Sequence, residues 1–339
     1  MNPVPMVPLH YNLLPTSTVQ SAPSFDPSGL YYKGNDNNVI CYFSNYAQLR
    51  QPPAKYVPEN IDARLCTHIF YAFASLDSVS FETVPGDPLV DINDGFYNRL
   101  QSVARSQNPD VKIMLALGGW TDSSGDKYSR LVNDPQKRQN FVKKAVNMLK
   151  RRNFDGLSLE WQYPVCWQSD CKNGNGNDKA GFTKLVQELK SAFKPKGLLL
   201  AAGLAGYTEI AEKAYDLPVL AKNLDMATIY AYDFHGHWDK KAGHQSPLKS
   251  SGTYNVQHAM NCYINGGFAK KQLNLGVPFY GLTHTLVSSG QNGVGAPVSS
   301  PGSPGKYSNQ PGMMAYFEIC DNGKLMIFTV LSHQLSYFT

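Results

Sequence analysis

The strongest constraint on this chain is a rhythm. Short apolar runs recur along it and alternate with stretches of helical periodicity. The runs are NVICYFS (38–44), HIFYAFASL (68–76), VKIMLALGG (111–119), the start of FDGLSLEWQYP (154–164), LLLAAGL (198–204), DMATIYAYDF (225–234) and LNLGVPF (273–279). Between them, apolar residues fall on one helical face: Phe96, Leu100 and Val103 near 94–107; Phe141, Val142, Val146 and Leu149 in 134–151; Phe182, Leu185, Leu189 and Phe193 after Asp178, a candidate cap. Shorter helices are expected near 215–222 and 253–265. Strands alternating with helices call for a parallel sheet, either closed into a barrel or doubly wound.

Polar and aromatic residues gather where the runs end: Trp120 after Gly118-Gly119, then Gln162 with Tyr163, Tyr232 with Asp233, and Tyr280. In a barrel the C-terminal strand ends converge on one mouth, whereas in a doubly wound sheet they do not all meet. The expected fold class is therefore α/β, a TIM (β/α)8-type barrel. Its eighth strand is not legible, so the barrel is expected to be incomplete there. The division expected is a disordered Pro/Ser-rich extension (1–37), barrel strands one to seven (38–280), a truncated α+β insertion (281–322) and an atypical tail (323–339). Within that tail LMIFTVL (325–331) is the candidate to fill the eighth place. The N-terminus has no basic start followed by an apolar block, so no secretory signal is visible.

The stretch FDGLSLEWQYP narrows the chemistry. Leu157 and Leu159 alternate with Ser158, Glu160 and Gln162, a period of two that gives a strand two distinct faces. A charge between two leucines needs a partner or a pocket. The composition suits a carbohydrate or apolar ligand: aromatics are 12% and charged residues 17% of the 339 residues, with a formal charge of +5. The basic residues are scattered, which argues against nucleic acid. No apolar run is long enough to span a membrane. No cofactor is expected, and no metal: His235 and His237 stand at i,i+2 with no third ligand placed nearby. Cys166 and Cys171 flank a short polar loop in which a small disulfide is plausible.

The motifs CYFSNYAQLR, CTHIFYAFA, LALGGW, FDGLSLEWQYP, YAYDFHGHW, GVPFYG and VGAPVSSPGSPGKY occur in one order. From about Val39 to about Cys320 the chain thereby resembles glycoside hydrolase family 18, the chitinases and chitinase-like lectins. YPVCWQSDC with DKAGF is similar to the arthropod type. The resemblance implies a D-x-x-D-x-D-x-E hallmark on the fourth strand. Here those four positions hold Asp155, Ser158, Glu160 and Gln162, and the first alone matches. It also implies that Tyr232 and Asp233 bind an acetamido group, and that Tyr42, Phe73, Trp120 and Tyr280 line an aromatic cleft. Tyr46, where many members have Trp, and Tyr230, where Met is usual, are expected among the substrate-binding residues, while Leu282 stands where a substrate-binding Arg is usual. The family's small insertion and eighth strand, which carries a Trp under the central subsite, are not recognisable after Cys320. A Cys41–Cys66 disulfide is implied as well, and adjacent parallel strands would bring those two residues together. Cys320 is expected to stay unpaired.

Active members of the family use the last Glu of the hallmark as general acid and the substrate's own acetamido oxygen as nucleophile. Gln162 offers no acidic proton near neutral pH. The expectation is a monomeric, extracellular chitinase-like protein that binds chitin or N-acetylglucosamine oligomers with little or no hydrolysis. Two alternatives stand beside it: an active chitinase with Glu160 recruited as the acid, and a truncated variant without function.

Overall fold

The structure is a computed structural model, and it describes residues 37–321. Twelve strands and eight α-helices lie among them. The strands are β1 (Ile40–Ser44), β2 (His68–Leu76), β3 (Thr83–Pro85), β4 (Lys112–Gly118), β5 (Gly156–Glu160), β6 (Leu199–Ala205), β7 (Met226–Tyr230), β8 (Leu273–Leu275), β9 (Tyr280–Leu282), β10 (His284–Leu286), β11 (Val298–Pro301) and β12 (Met313–Ala315). The helices are α1 (Phe96–Gln107), α2 (Lys127–Val132), α3 (Pro135–Arg151), α4 (Asp178–Phe193), α5 (Thr208–Ala214), α6 (Leu217–Asn223), α7 (Val256–Asn265) and α8 (Tyr316–Asp321).

Seven strands pair in parallel in the order β1-β2-β4-β5-β6-β7-β8, and β3 adds to β2 antiparallel. Among the described residues this is the curled, incomplete barrel expected from the sequence. Among the described residues β1 and β8 each keep one unpaired edge. The expectations for residues 1–36, and for 325–331 as an eighth strand, lie outside the described residues. After β8 come two antiparallel pairs, β9 with β12 and β10 with β11. Apart from Tyr280, these strands lie in the segment expected to be a truncated α+β insertion (281–322).

Strand alternation splits the core in two. Ile69, Tyr71, Ile113, Leu115, Leu117, Leu157, Leu159, Leu200, Leu204 and Ile229 pack outward against the helices. Phe70, Ala72, Met114, Ala116, Ala201 and Met226 fill the interior. The interior alternates large and small residues, with Phe70, Met114 and Met226 packed among Ala72, Ala116 and Ala201.

Several boundaries moved for physical reasons. α1 begins at Phe96 because Gly95 is left-handed (φ 71°). Asp134 caps α3, accepting from the amides of Gln136 and Lys137 at 2.9 and 3.1 Å, with Pro135 in the first turn. α7 starts at Val256, with Asn255 accepting from the His258 amide at 2.8 Å. Asp178 does not cap α4; Asn177 holds that place. The helix expected near 215–222 is α6, capped by Asp216, and α5 before it was not foreseen. The run at 273–279 yields only three strand residues, and Val277 and Phe279 beyond them are 63% and 76% exposed.

Candidate functional site

β5 organises the site. Leu157 and Leu159 face the helices, while Ser158 and Glu160 point inward and are fully buried. Ser158 pairs with Ala116 on one side and Ala201 on the other, and Glu160 stands beside Gly118. Gly203 holds the matching inward position of β6. These small neighbours make room for a long carboxylate. A Cβ at Gly203 would run into the Glu160 Oε2 and the Tyr230 hydroxyl. At Gly118 (φ 121°) a Cβ would lie 2.7 Å from the Glu160 carbonyl oxygen, so only glycine fits.

Three hydroxyls close on the Glu160 carboxylate. Ser158 donates to Oε1 at 2.6 Å, Tyr42 donates to the same oxygen at 3.2 Å, and Tyr230 donates to Oε2. Burial pushes the Glu160 carboxyl above its ordinary value, and the hydrogen bonds from Ser158, Tyr230 and Tyr42 oppose that push.

Beyond the strand the chain bends into the mouth. Gln162 lies two residues past the end of β5 and is half-buried. Its amide N–H donates to Ser123 Oγ at 2.9 Å and its carbonyl accepts from the Gln168 amide at 2.8 Å. Among the described residues its side-chain carboxamide has no hydrogen-bond partner. Trp120 stands 51% exposed after Gly118 and Gly119. Gly119 (φ 88°) approaches the Phe73 ring so closely that a Cβ would sit 3.1 Å from it. Tyr46 is 51% exposed on the turn after β1.

On the other side of the mouth β7 ends at Tyr230, earlier than the run DMATIYAYDF suggested. Asp233 is left-handed (φ 57°), a conformation that Asp tolerates better than most residues. Its Oδ2 accepts from the Tyr280 hydroxyl at 2.7 Å, while its buried Oδ1 has no partner among the described residues. Burial raises the Asp233 carboxyl above its ordinary value, and the Tyr280 hydrogen bond works against that. The rings of Tyr230, Tyr232 and Tyr280 follow one another, with centroids 5.6 and 6.4 Å apart.

The structure thus brings Ser158, Glu160, Tyr42 and Tyr230 into one cluster, and joins Asp233 to Tyr280. Asp155 is not with them. It precedes β5 at the opposite end of the barrel, where Oδ2 accepts from the Ile113 amide at 2.7 Å and from Arg105 at 3.1 Å. Leu282, in β9, is half-buried. Two residues at the mouth escaped sequence reasoning. Ser123, fully buried, ties the Gln162 backbone to the loop after β4, and nothing in its local sequence marks it. Trp238, 48% exposed after β7, was visible within YAYDFHGHW but not weighed. Asp178, expected as a helix cap, has a different role. Fully buried, it accepts from Ser129 Oγ (2.6 Å), Asn133 Nδ2 (2.7 Å), Trp167 Nε1 (2.8 Å) and the Val165 amide (3.3 Å). That network holds the loop closed by the Cys166–Cys171 disulfide. A second disulfide joins Cys41 and Cys66, and Cys262 and Cys320 are free.

The profile of glycosyl hydrolases family 18 matches residues 38–337. The chain belongs to this family. Family 18 relatives include probable chitinase 10 of Drosophila melanogaster, 39% identical over 324 residues. That alignment covers 94% of this chain but 14% of the fly protein. Mouse chitotriosidase-1 is 35% identical, over 85% of this chain and 62% of its own length. Among solved family 18 structures, catalytic domain 2 of the Ostrinia furnacalis Group II chitinase superposes with a TM-score of 0.82 at 42% identity, covering 86% of this chain and 76% of that one. A mutant of the same domain was solved in complex with (NAG)5. Human YKL-39, described as a pseudo-chitinase with retained chitooligosaccharide binding properties, gives 0.75 at 34% identity, covering 84% and 78%.

Proposed function

We propose that this chain binds chitin or N-acetylglucosamine oligomers and hydrolyses them little or not at all. One observation carries the reading. The only carboxylate on the inward face of β5 is Glu160, sealed at zero exposure by three hydroxyl donors, and the position two residues nearer the mouth is an amide. Losing a general acid costs about 10²–10⁴-fold in rate, and more where the leaving group is poor. Binding is supported by the exposed rings of Trp120 and Tyr46, by Phe73, Tyr232 and Tyr280 beside them, and by the Asp233 Oδ1 that lacks a partner. Exposed aromatic faces suit the apolar faces of sugar rings. A described pseudo-chitinase with retained oligosaccharide binding among the structural neighbours points the same way.

Recruitment of Glu160 as the acid is the weaker reading. Glu160 starts roughly 6–7 Å further from the mouth than residue 162, given the strand rise over two residues. Its oxygens are already occupied from within the protein. The two disulfides fit an oxidising, extracellular setting, where such bonds persist. Purified protein incubated with chitin beads should be retained, and a reducing-end assay on chitin oligomers should stay at background. Turnover that disappears in Glu160→Gln would overturn the reading in favour of a chitinase.

A further inference from the structure

Tyr230 and Glu160 form a pair that neither residue makes sense without. Along β7 the inward positions are Met226, Thr228 and Tyr230, so the Tyr230 side chain enters the barrel interior just below the mouth. Its ring is 7% exposed, and its hydroxyl reaches across to Glu160 on β5, two strands away. The strand between them, β6, carries Gly203 at the crossing point, and any side chain there would collide with both partners. On the far side Tyr42, whose ring meets Phe70 edge-on at 5.2 Å, donates to the other carboxylate oxygen. Both oxygens of the Glu160 carboxylate under the mouth are therefore met by hydroxyls of the protein itself.

We propose that Tyr230 is a built-in plug that determines which ligands the site accepts. Its hydroxyl occupies one Glu160 oxygen and its ring takes up the barrel interior just below the mouth, so the acetamido N–H of an N-acetylated sugar cannot reach that acceptor. Sugars are then held on the rim, by Trp120, Tyr46 and the Tyr280–Asp233 pair, without a deep central subsite. Shallow rim binding favours long oligomers over short ones, because each ring adds contact but none is anchored. The inference rests on the reading of this site as one for N-acetylglucosamine oligomers.

Two measurements separate the plug from that reading. The first needs no sugar: carbodiimide coupling of an amine to exposed carboxylates, followed by peptide mass mapping, with the exposed Glu212 as internal control. Glu160 should stay unlabelled in the wild type and become labelled in Tyr230→Ala. Labelling of Glu160 in the wild type, or none in the folded variant, overturns the plug. The second is calorimetric titration with tetra-N-acetylchitotetraose. Freeing the Glu160 acceptor should tighten binding in Tyr230→Ala about tenfold or more. Equal or weaker affinity in a variant whose Glu160 is labelled overturns the specificity claim. If Tyr230→Ala binds and the wild type does not, the plug stands and wild-type binding is refuted. Should the alanine variant fail to fold, Tyr230→Met keeps apolar volume without a donor and is expected to act in the same direction.

Discussion

Glu160 lives in a cage of three hydroxyls, and two expectations follow from that cage. Restoring the acid by Gln162→Glu should recover little turnover, within about tenfold of background in a reducing-end assay, because Ser158 offers a hydroxyl where a partner carboxylate would tune the new acid. Full activity in that single variant would show the rest of the site to be intact. The second expectation concerns pH. The folded-state value of Glu160 is raised above its ordinary 4.5, with burial as the largest cause. A raised carboxyl contributes stability that is fully present below the unfolded value and is lost as pH rises through the folded one. Glu160→Gln has no such loss. The unfolding temperature of the variant relative to wild type should therefore climb as pH rises above about 4.5. A difference that stays flat across that range contradicts the buried charge.

At the scale of elements, the N-terminal rims of the strands are pinned by acidic side chains. Asp155, before β5, accepts from the Ile113 amide of β4, and Asp225, before β7, accepts from the Leu200 amide of β6 at 2.8 Å. Each carboxylate is also met by a cation, Arg105 in one case and Lys190 in the other. Asp155 looks catalytic in the motif and is a strand clamp in the fold. Asp155→Ala should cost about 1–3 kcal/mol by leaving an amide short of its acceptor. Affinity for chitin oligomers should not change, and a loss of binding at unchanged stability would return Asp155 to the site. The long elements α1, α3 and α4 were legible because their apolar faces repeat over three or more turns. The short helices α2 and α5 were not, since six or seven residues carry little periodicity unless a cap and an early proline mark the start, as Asp216 and Pro218 do for α6.

For the whole molecule the open question is closure. Parallel strands lose their unpaired N–H and C=O groups only when the sheet closes on itself, and here β1 and β8 keep free edges among the described residues. Val277 and Phe279 lie exposed just past β8, so apolar surface accompanies the open edge. The segment 325–331 falls outside the described residues, and its sequence alone recommends it as a filler. Deleting residues 324–339 should lower the unfolding temperature or the solubility, since several kcal/mol of pairing and burial are at stake against a total of about 5–15 kcal/mol. Unchanged behaviour after the deletion would mean that the tail closes nothing. The Cys41–Cys66 bridge ties the start of β1 to the approach to β2, across 25 residues. Closing a loop of that length stabilises by about 3–4 kcal/mol in the chain-entropy account.

The sequence by itself determined the alternation of the seven parallel strands with the longer helices, the inward face of β5 and the residues that stand at the strand ends. These follow from periods of two and 3.6 and from local turn chemistry, which short windows carry. Only the tertiary structure decided that Asp155 belongs to the far rim, that Asp178 is a buried hub and that Tyr230 meets Glu160. Those contacts join residues 11 to 70 positions apart. They depend on how far each strand slides past its neighbour and on which glycines let side chains cross, and no local pattern encodes either.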